Sequence, residues 1–258
     1  QGPPGVGKTF VAQTIAYALM GAKDPTRLDM VQFHQSYGYE EFIQGLRPTK
    51  TGAYELREGV FYSFCQAALN DQRTRVFIID EINRGNLSKI LGELMMLIER
   101  DKRKEKYALP LAYSDPGTSS FYVPSNVHII GLMNTADRSL AMVDYALRRR
   151  FAFISLKPEF GSPKFRKHLV KEGMDKGLAK RLVEGINGLN DEIRKDQLDL
   201  GEGFCIGHSY FCPDGSSLNR EWVEEILDYE IKPLLEEYWM ESPEKAATAI
   251  KKIKDSLG

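Results

Sequence analysis

The sequence of 258 residues has little of several features that would assign a function directly. It contains three cysteines, Cys65, Cys205 and Cys212, and such a small, odd number fits a reducing compartment better than a disulfide framework. No uninterrupted apolar run is long enough to cross a bilayer, and the formal net charge is −1. Because positive and negative charges are balanced, the chain as a whole does not attract nucleic acid, so any DNA contact has to be local. We therefore expect an intracellular, cytoplasmic protein without membrane association.

The first residues form the most informative motif of the chain. Residues 2–9, GPPGVGKT, match the phosphate-binding pattern G-x-x-x-x-G-K-S/T at every specified position. In such a loop the glycines let backbone N–H groups turn toward phosphates, Lys8 brings a charge to the β and γ oxygens, and Thr9 offers a hydroxyl to Mg²⁺. The helix that follows supplies a positive dipole end. The predicted nucleotide-binding residues are Gly2, Pro3, Pro4, Gly5, Val6, Gly7, Lys8, Thr9 and Phe10.

Two predicted strands end in polar side chains. Residues 75–83, RVFIIDEIN, hold four apolar residues without alternation, which is typical of a strand buried on both faces of a parallel sheet, and end on Asp80 and Glu81. We expect Asp80 to hold the Mg²⁺ water shell and Glu81 to orient or deprotonate the attacking water. Residues 127–137, VHIIGLMNTAD, repeat the pattern and reach Asn134. The Asn134 amide is suited to hydrogen-bond a γ-phosphate or the attacking water. The alternative interpretation is that Asn134 and Asp137 form an ordinary turn.

The order of predicted elements indicates a parallel α/β sheet with helices on both faces, followed by a helical part. Helices are predicted from Phe10 and over FYSFCQAALN, LSKILGELMMLIER and SLAMVDYALRRR, strands over DMVQFHQSY and FAFISLKP, and hairpins within residues 44–59 and 107–124. Beyond about residue 158 the sequence becomes charged and helical in pattern, so we predict domains at 1–157 and 158–258. Only Gln1 precedes the phosphate loop, and we expect the strand that should feed it to be missing and the chain to be a piece of a longer protein.

Three consecutive arginines, Arg148, Arg149 and Arg150, end the helix predicted over SLAMVDYALRRR. Cations are favoured at a helix C-terminus by the dipole alone, so a solvated helix end is one interpretation. The other is that one or two of them reach the γ-phosphate bound by a neighbouring subunit, as arginine fingers do.

The whole layout resembles the AAA+ family, and within it the McrB family. The resemblance lies in the phosphate loop and in FIIDEINRGNLSKILGELMMLIE, GLMNTADRS, VDYALRRRF, FHQSYGYEEFIQG, GHSYF and LDYEIKPLLEEYW. It implies an AAA+ P-loop NTPase module with a small all-α lid, hydrolysis of GTP with Mg²⁺, hexameric rings, a McrC-type endonuclease partner and DNA translocation. It further implies that Asn134, Asp137 and Arg138 arrange the γ-phosphate and that Arg149 and Arg150 act in trans.

The sequence also departs from that family in ways that limit the expectation. Full-length members carry a DNA-reading domain ahead of the AAA+ module, and this chain has none, so we do not expect it to recognise modified DNA by itself. It has no NKxD motif either, and the preference for GTP over ATP is therefore implied by the resemblance alone. An ATP-specific remodelling protein of the MoxR kind and a nonhydrolytic assembly module stay open as alternatives.

Two residue clusters outside these motifs have competing interpretations. In the predicted lid, GHSYF stands where the family carries a second sensor, and we predict that His208 contacts nucleotide. Cys205, His208 and Cys212 have a spacing suited to zinc, but a closed site needs four ligands, so we favour core packing. An aromatic cluster suits either base stacking or the seating of a loop on the core, and we favour the second. Its members are Phe33, Tyr37, Tyr39 and Phe42.

Overall fold

The computed structural model describes residues 1–114, 117, 120–137, 148–196, 200–212 and 218–258. Contacts divide the chain into two compact units. The first comprises Gln1–Lys8, Asn134–Arg138 and Ile154–Gly258, and the second comprises Thr9–Met133 and Ser139–Phe153. The domain boundary near residue 158 stays a prediction.

The second unit alternates helices and strands. In chain order its elements are α1 (Lys8–Met20, which begins at the last residue of the first unit), β1 (Leu28–Gln32), α2 (Tyr39–Phe42), β2 (Gln44–Pro48), β3 (Tyr54–Glu58), α3 (Val60–Leu69), β4 (Arg75–Asp80), α4 (Leu87–Leu91), α5 (Leu94–Leu97) and β5 (Val127–Gly131).

Within the described residues, β1, β4 and β5 form a parallel sheet with β4 in the middle. Leu28 pairs with Val76, and Arg75 pairs with Val127. The β-branched and aromatic residues of β4 favour an extended strand, and residues 76–79 are at most 2% exposed. The strand predicted to be buried on both faces is therefore confirmed.

Helices pack on both faces of this sheet, because alternate residues of β4 point to opposite sides. Val76 shares an apolar cluster with Ala16 of α1. Phe77 shares another cluster with Phe61 and Phe64 of α3, and its ring meets both of theirs edge-on. The predicted α/β class, with helices on both faces of a parallel sheet, is confirmed.

The prediction of one continuous helix over LSKILGELMMLIER is wrong. The apolar stripe forms two short helices, α4 and α5, with Gly92 between them. Gly92 has a φ of +49°, and a Cβ on it would lie 3.2 Å from the ring of Tyr39. A side chain would be strained and crowded there, so the break depends on glycine. The apolar periodicity continues across it and gives no sign of it.

One of the two predicted hairpins forms as expected. β2 and β3 pair antiparallel, with Gln44 opposite Glu58, which confirms the hairpin within residues 44–59. In the second stretch, the described residues show a single antiparallel bridge between Leu109 and Phe121. The hairpin expected there is thus reduced to one pair, and Asp115 of its predicted turn lies outside the described residues.

The strand predicted over FAFISLKP is also wrong. The amino group of Gln1 donates to the Ile154 carbonyl at 2.8 Å, and the Leu156 N–H donates to the Gln1 carbonyl at 2.8 Å. Bonds to a single residue do not make a ladder, which needs consecutive partners. Residues 139–147 of the helix predicted over SLAMVDYALRRR lie outside the described residues.

In its described residues, the C-terminal part of the first unit contains helices and no strands, as predicted for the lid. It consists of α6 (Pro163–Lys171), α7 (Lys176–Lys195), α8 (Arg220–Ile226), a π-helical turn (Leu227–Ile231), α9 (Lys232–Tyr238) and α10 (Pro243–Ser256). The amphipathic helices bury one apolar cluster, which includes Leu182, Ile186 and Leu235. No helix in the described ranges is long and apolar enough to cross a membrane.

A buried amide fixes the glycine-rich segment of the lid. Asn190 of α7 is fully buried; its Nδ2 donates to the Ile206 carbonyl at 3.0 Å, and its Oδ1 accepts from the Ile206 N–H at 2.6 Å. Because a buried amide must find partners, this two-way pairing sets the position of the backbone that leads into GHSYF.

Candidate functional site

The phosphate loop has a backbone suited to surround an anion. Gly5 and Gly7 have φ values of +70° and +75°. Apart from chain neighbours, no atom of the described residues lies within 4 Å of the place where a Cβ would stand on Gly7. This open space is a cradle for a phosphate group at the start of α1, where N–H groups point outward. The Lys8 Nζ donates to the carbonyls of Gly2 and Pro3 at 3.0 Å each, which holds the ammonium at the loop. The loop therefore fits a nucleotide phosphate.

The first turn of α1 carries the next predicted contacts. Thr9 follows Lys8 as the second residue of the helix, and the adjacent Phe10 is 75% exposed. Val6 is 3% exposed and anchors the loop from inside. Thr9, whose hydroxyl is predicted to bind the metal, therefore directly follows Lys8, whose ammonium is predicted to bind phosphate.

Residues 134–137 of the signature MNTADRS lie in the first unit, and the first two of them contact the phosphate loop. Gly2 and Asn134 form a parallel bridge, and the Thr135 N–H donates to the Gly2 carbonyl at 3.2 Å. The Asn134 Oδ1 accepts from the Ala136 N–H at 3.2 Å, a bond typical of an ordinary turn. The structure therefore brings Asn134 to the loop predicted to bind phosphate. Asp137 lies three residues further on, and Arg138 lies outside the described residues.

The GHSYF segment pairs directly with the phosphate loop. The Gly207 N–H donates to the Pro4 carbonyl at 2.9 Å, and the Ser209 N–H donates to the Gly5 carbonyl at 2.7 Å. The ring of Tyr210 covers Gly5 so closely that a Cβ on Gly5 would lie 2.3 Å from its Cε2. Sequence reasoning missed this pairing. The signal for it was Gly207, because only glycine permits such a close backbone approach.

His208 itself is turned to other partners. Its Nδ1 accepts from the Glu159 N–H at 3.2 Å, and its ring meets Phe160 and Phe165 edge-on. Burial lowers the pKa of His208 below its ordinary value, because burial disfavours the charged imidazolium. The imidazole therefore has a structural role in the lid, and these contacts give no support to the predicted nucleotide contact.

The acidic strand end of the second unit has an unusual backbone. β4 ends at Asp80, whose Oδ1 accepts from the Glu81 N–H at 3.0 Å. Glu81 has φ +49° and ψ +43°, a left-handed conformation that costs a non-glycine residue free energy and is concentrated at functional sites. The Arg84 Nε lies 3.5 Å from the Glu81 Oε2. The Oδ1 of Asn83 is buried without a hydrogen-bond partner in the described part of the chain. Sequence reasoning did not single out Asn83 or Arg84.

Two residues of the arginine run, Arg149 and Arg150, differ in exposure. The Arg150 side chain is 7% exposed, and its guanidinium lies 2.7 Å from the Glu99 Oε1. The Arg149 side chain is 70% exposed and lies 3.9 Å from the same oxygen. Because a finger has to leave its own subunit, the geometry favours Arg149 over Arg150 for a contact in trans.

The predicted metal ligands offer oxygen donors. A threonine hydroxyl, Thr9, and a carboxylate, Asp80, suit Mg²⁺, which keeps several waters and is commonly bound by one or two carboxylates together with substrate phosphates. No group of three or more His, Cys, Asp or Glu side chains in the described ranges has the arrangement of a protein-only metal site. In the sequence trio considered for zinc, Cys205 is buried in the lid core and Cys212 is exposed.

The aromatic cluster after β1 belongs to the core of the second unit. Phe33 and Phe42 are fully buried, Tyr39 is nearly so, and Tyr37 stacks on Phe33 with ring centroids 4.8 Å apart. The Tyr39 hydroxyl donates to the Glu93 Oε1 at 2.5 Å. These rings seat the loop on the core, which is the interpretation favoured from the sequence.

Comparison with known proteins agrees with this geometry. Residues 1–151 match the AAA domain of the dynein-related subfamily, and residues 181–247 match the alpha-helical lid domain of McrB. The chain belongs to the AAA domain family and is McrB-like. The combination of phosphate loop, acidic strand end and lid is that of a nucleoside triphosphatase module, which uses a nucleotide and a metal ion.

Individual relatives extend the comparison. The chain is 55% identical over 249 residues to the type IV methyl-directed restriction enzyme EcoKMcrB subunit of Escherichia coli K12, covering 95% of this chain and 54% of that protein. It is 27% identical over 193 residues to the type II restriction enzyme BsuMI component YdiS of Bacillus subtilis 168, covering 61% and 56%. The chain thus spans about half the length of the curated relatives it matches.

A solved structure is also similar at low level. The crystal structure of a putative ATPase from Cytophaga hutchinsonii aligns with 73% of this chain and 66% of its own, at 11% identity and a TM-score of 0.36. That similarity supports no functional inference.

Proposed function

We propose that the chain is the GTP-hydrolysing motor module of a restriction system directed at modified cytosine. The observation that carries the proposal is the 55% identity, over 95% of this chain, to a methyl-directed restriction enzyme subunit. The proposal includes Mg²⁺ as the metal, a homo-oligomeric, hexameric ring in the cytoplasm, a McrC-type endonuclease subunit as partner, and translocation of DNA. Nuclease activity is assigned to the partner rather than to this chain.

The phosphate loop binds the nucleotide in this proposal. N–H groups at Gly7 and at the start of α1 hold phosphate oxygens, and Lys8 leaves its carbonyl partners to meet the β- and γ-phosphates. The Thr9 hydroxyl and Asp80 hold the metal. Bound Mg²⁺ supplies charge neutralisation on the phosphates.

Two groups act on the water molecule. Glu81 orients or deprotonates it, and this residue has a left-handed backbone conformation at the end of β4. Asn134, held at the phosphate loop by the bridge to Gly2, hydrogen-bonds the γ-phosphate or the water. Asp137 and Arg138 complete the arrangement at the γ-phosphate. Arg149 serves the site of a neighbouring subunit.

The test is a side-by-side measurement of initial hydrolysis rates with GTP and ATP in the presence of Mg²⁺. We expect faster hydrolysis of GTP, and we expect Glu81→Gln to lower multiple-turnover hydrolysis by about 10²-fold or more, since proton transfer by a positioned carboxylate contributes about that much. Glu221→Gln is the matched control, because Glu221 is exposed in the first turn of α8. This control should hydrolyse GTP at the rate of the unchanged chain.

Each contrary result points to a different function. A clear preference for ATP would replace the GTPase with an ATPase of the remodelling kind. Tight nucleotide binding and nucleotide-dependent assembly with no hydrolysis, even with a McrC-type partner present, would indicate an assembly module. Unchanged hydrolysis in Glu81→Gln would refute the role given to Glu81.

A further inference from the structure

One basic stretch of the second unit lies outside the proposed catalytic machinery. Residues 100–106, RDKRKEK, contain five cations and two carboxylates in a chain whose net charge is −1. Arg100, Lys104 and Lys106 are exposed. Positive charge is therefore concentrated locally, although the chain as a whole is balanced.

Two contacts hold this stretch in place. The guanidinium of Arg103 donates to the carbonyls of Ile98 and Val127, which ties residues 100–106 to the end of α5 and to β5. The Nζ atoms of Lys102 and Lys106 lie 4.5 and 4.8 Å from the ring centroid of Tyr107, within the range of cation–π contacts. One arginine thus anchors the stretch from inside, and one aromatic ring gathers two ammonium groups.

The arginine run lies next to the same stretch. Glu99 immediately precedes Arg100 and is approached by Arg150 at 2.7 Å and Arg149 at 3.9 Å. Arg148 and Arg149 are exposed. Arg149 has the proposed role in trans, so we call residues 100–106 together with Arg148 the basic patch.

The composition of the patch favours one class of partner. Protein interfaces concentrate their binding energy in aromatic and apolar anchors at a desolvated centre. None of the large apolar side chains exposed in the described residues falls within residues 100–107 or 148–150. Exposed lysines and arginines without apolar anchors match instead the contacts that proteins make with nucleic-acid phosphates.

We propose that the basic patch binds the phosphate backbone of duplex DNA, without reading its sequence. The identity of the polyanion as DNA rests on the proposed function, whereas the location of the site rests on the charges and contacts of the patch. Each neutralised phosphate releases counterions, so binding should weaken steeply as salt is raised.

The test uses the full chain and a short fluorescein-labelled duplex of unmodified DNA, with binding followed by anisotropy over a series of salt concentrations. Lys104→Ala/Lys106→Ala is expected to weaken binding of every duplex sequence equally and to reduce the slope of log affinity against log salt by about two, close to one per lost phosphate contact. Lys23→Ala/Lys251→Ala is the matched control: both lysines are exposed and lie outside the patch. It should keep the slope of the unchanged chain.

The outcomes separate this proposal from the proposed GTPase. Hydrolysis measured without DNA should be the same in the patch variant and the unchanged chain, so a loss of DNA binding alone supports the patch. An unchanged salt slope in the patch variant, an equal loss in the control, or no DNA binding by the unchanged chain would overturn the proposal. Tighter binding of labelled polyglutamate than of DNA would assign the patch to an acidic protein instead. None of these results depends on whether GTP or ATP is the substrate.

Discussion

Gly207→Ala is expected to push the GHSYF segment away from the phosphate loop. A Cβ on Gly207 would lie 1.9 Å from the carbonyl carbon of Gly5, 2.0 Å from its oxygen and 2.4 Å from the Val6 nitrogen. The closest of these is about 1.5 Å short of ordinary van der Waals contact. All three atoms are backbone atoms, so no side-chain rotation can relieve the overlap and one of the two segments has to move.

The magnitude follows from the contacts that the movement breaks. The Gly207–Pro4 and Ser209–Gly5 hydrogen bonds, 2.9 and 2.7 Å long, each contribute about 1 kcal/mol net. Forcing a methyl group into a close-packed place costs about 1–3 kcal/mol more. We expect the free energy of unfolding to fall by about 3–5 kcal/mol and nucleotide affinity to fall with it. Urea unfolding followed by circular dichroism measures the first, and titration with a fluorescent GTP analogue measures the second.

Gly188→Ala is the control for the chemical change itself. Gly188 lies within α7, and beyond its own helix no atom in the described part of the chain is within 4 Å of its Cβ position. Alanine should therefore stabilise the helix by up to about 1 kcal/mol and leave nucleotide affinity unchanged. If Gly207→Ala behaved like Gly188→Ala in both measurements, the pairing between GHSYF and the phosphate loop would not exist in solution.

Two further predictions concern the arginines and pH. Arg149→Ala should lower multiple-turnover hydrolysis by about 10³-fold with an unchanged urea midpoint, and mixing this variant with Glu81→Gln should restore part of the rate. Arg150→Ala should instead lower the free energy of unfolding by about 3 kcal/mol, because Glu99 loses its buried partner. No recovery on mixing, with assembly verified, would contradict the role in trans. Because burial lowers the pKa of His208, the unfolded chain takes up the proton first, so stability should decline as pH falls through about 6.5. His208→Phe should flatten that part of a pH series of urea midpoints, and an unchanged slope would exclude His208 as its cause.

Much of the second unit could be predicted because its signals are local. Four consecutive apolar residues in β4 are enough to indicate a central parallel strand, and the polar residue that ends it marks the sheet edge where ligands bind. GPPGVGKT likewise predicts its own loop and the helix that follows, because the glycine spacing and the charge of Lys8 are set within eight residues.

The remaining features depend on contacts between distant residues. Gly92 breaks an apolar stripe whose periodicity is uninterrupted, and the ring it accommodates, Tyr39, lies 53 positions earlier in the chain. The contrast between Arg149 and Arg150 depends on where Glu99 lies, which no property of an RRR run reveals. The place of His208 in a motif predicts contact with a nucleotide, which stays a prediction, and no local pattern reveals its contacts with Glu159 and Phe160.

The pairing of GHSYF with the phosphate loop also explains how the loop keeps its shape. A trans peptide is planar, and its C=O and N–H point in opposite directions. The carbonyls of Pro4 and Gly5 are directed at the N–H groups of Gly207 and Ser209, so the N–H groups of the same two peptides, on Gly5 and Val6, must point to the other side. The lid segment therefore orients loop N–H groups without occupying the space open beside Gly7. This is why a methyl group on Gly207, far along the sequence from the loop, is expected to weaken nucleotide binding.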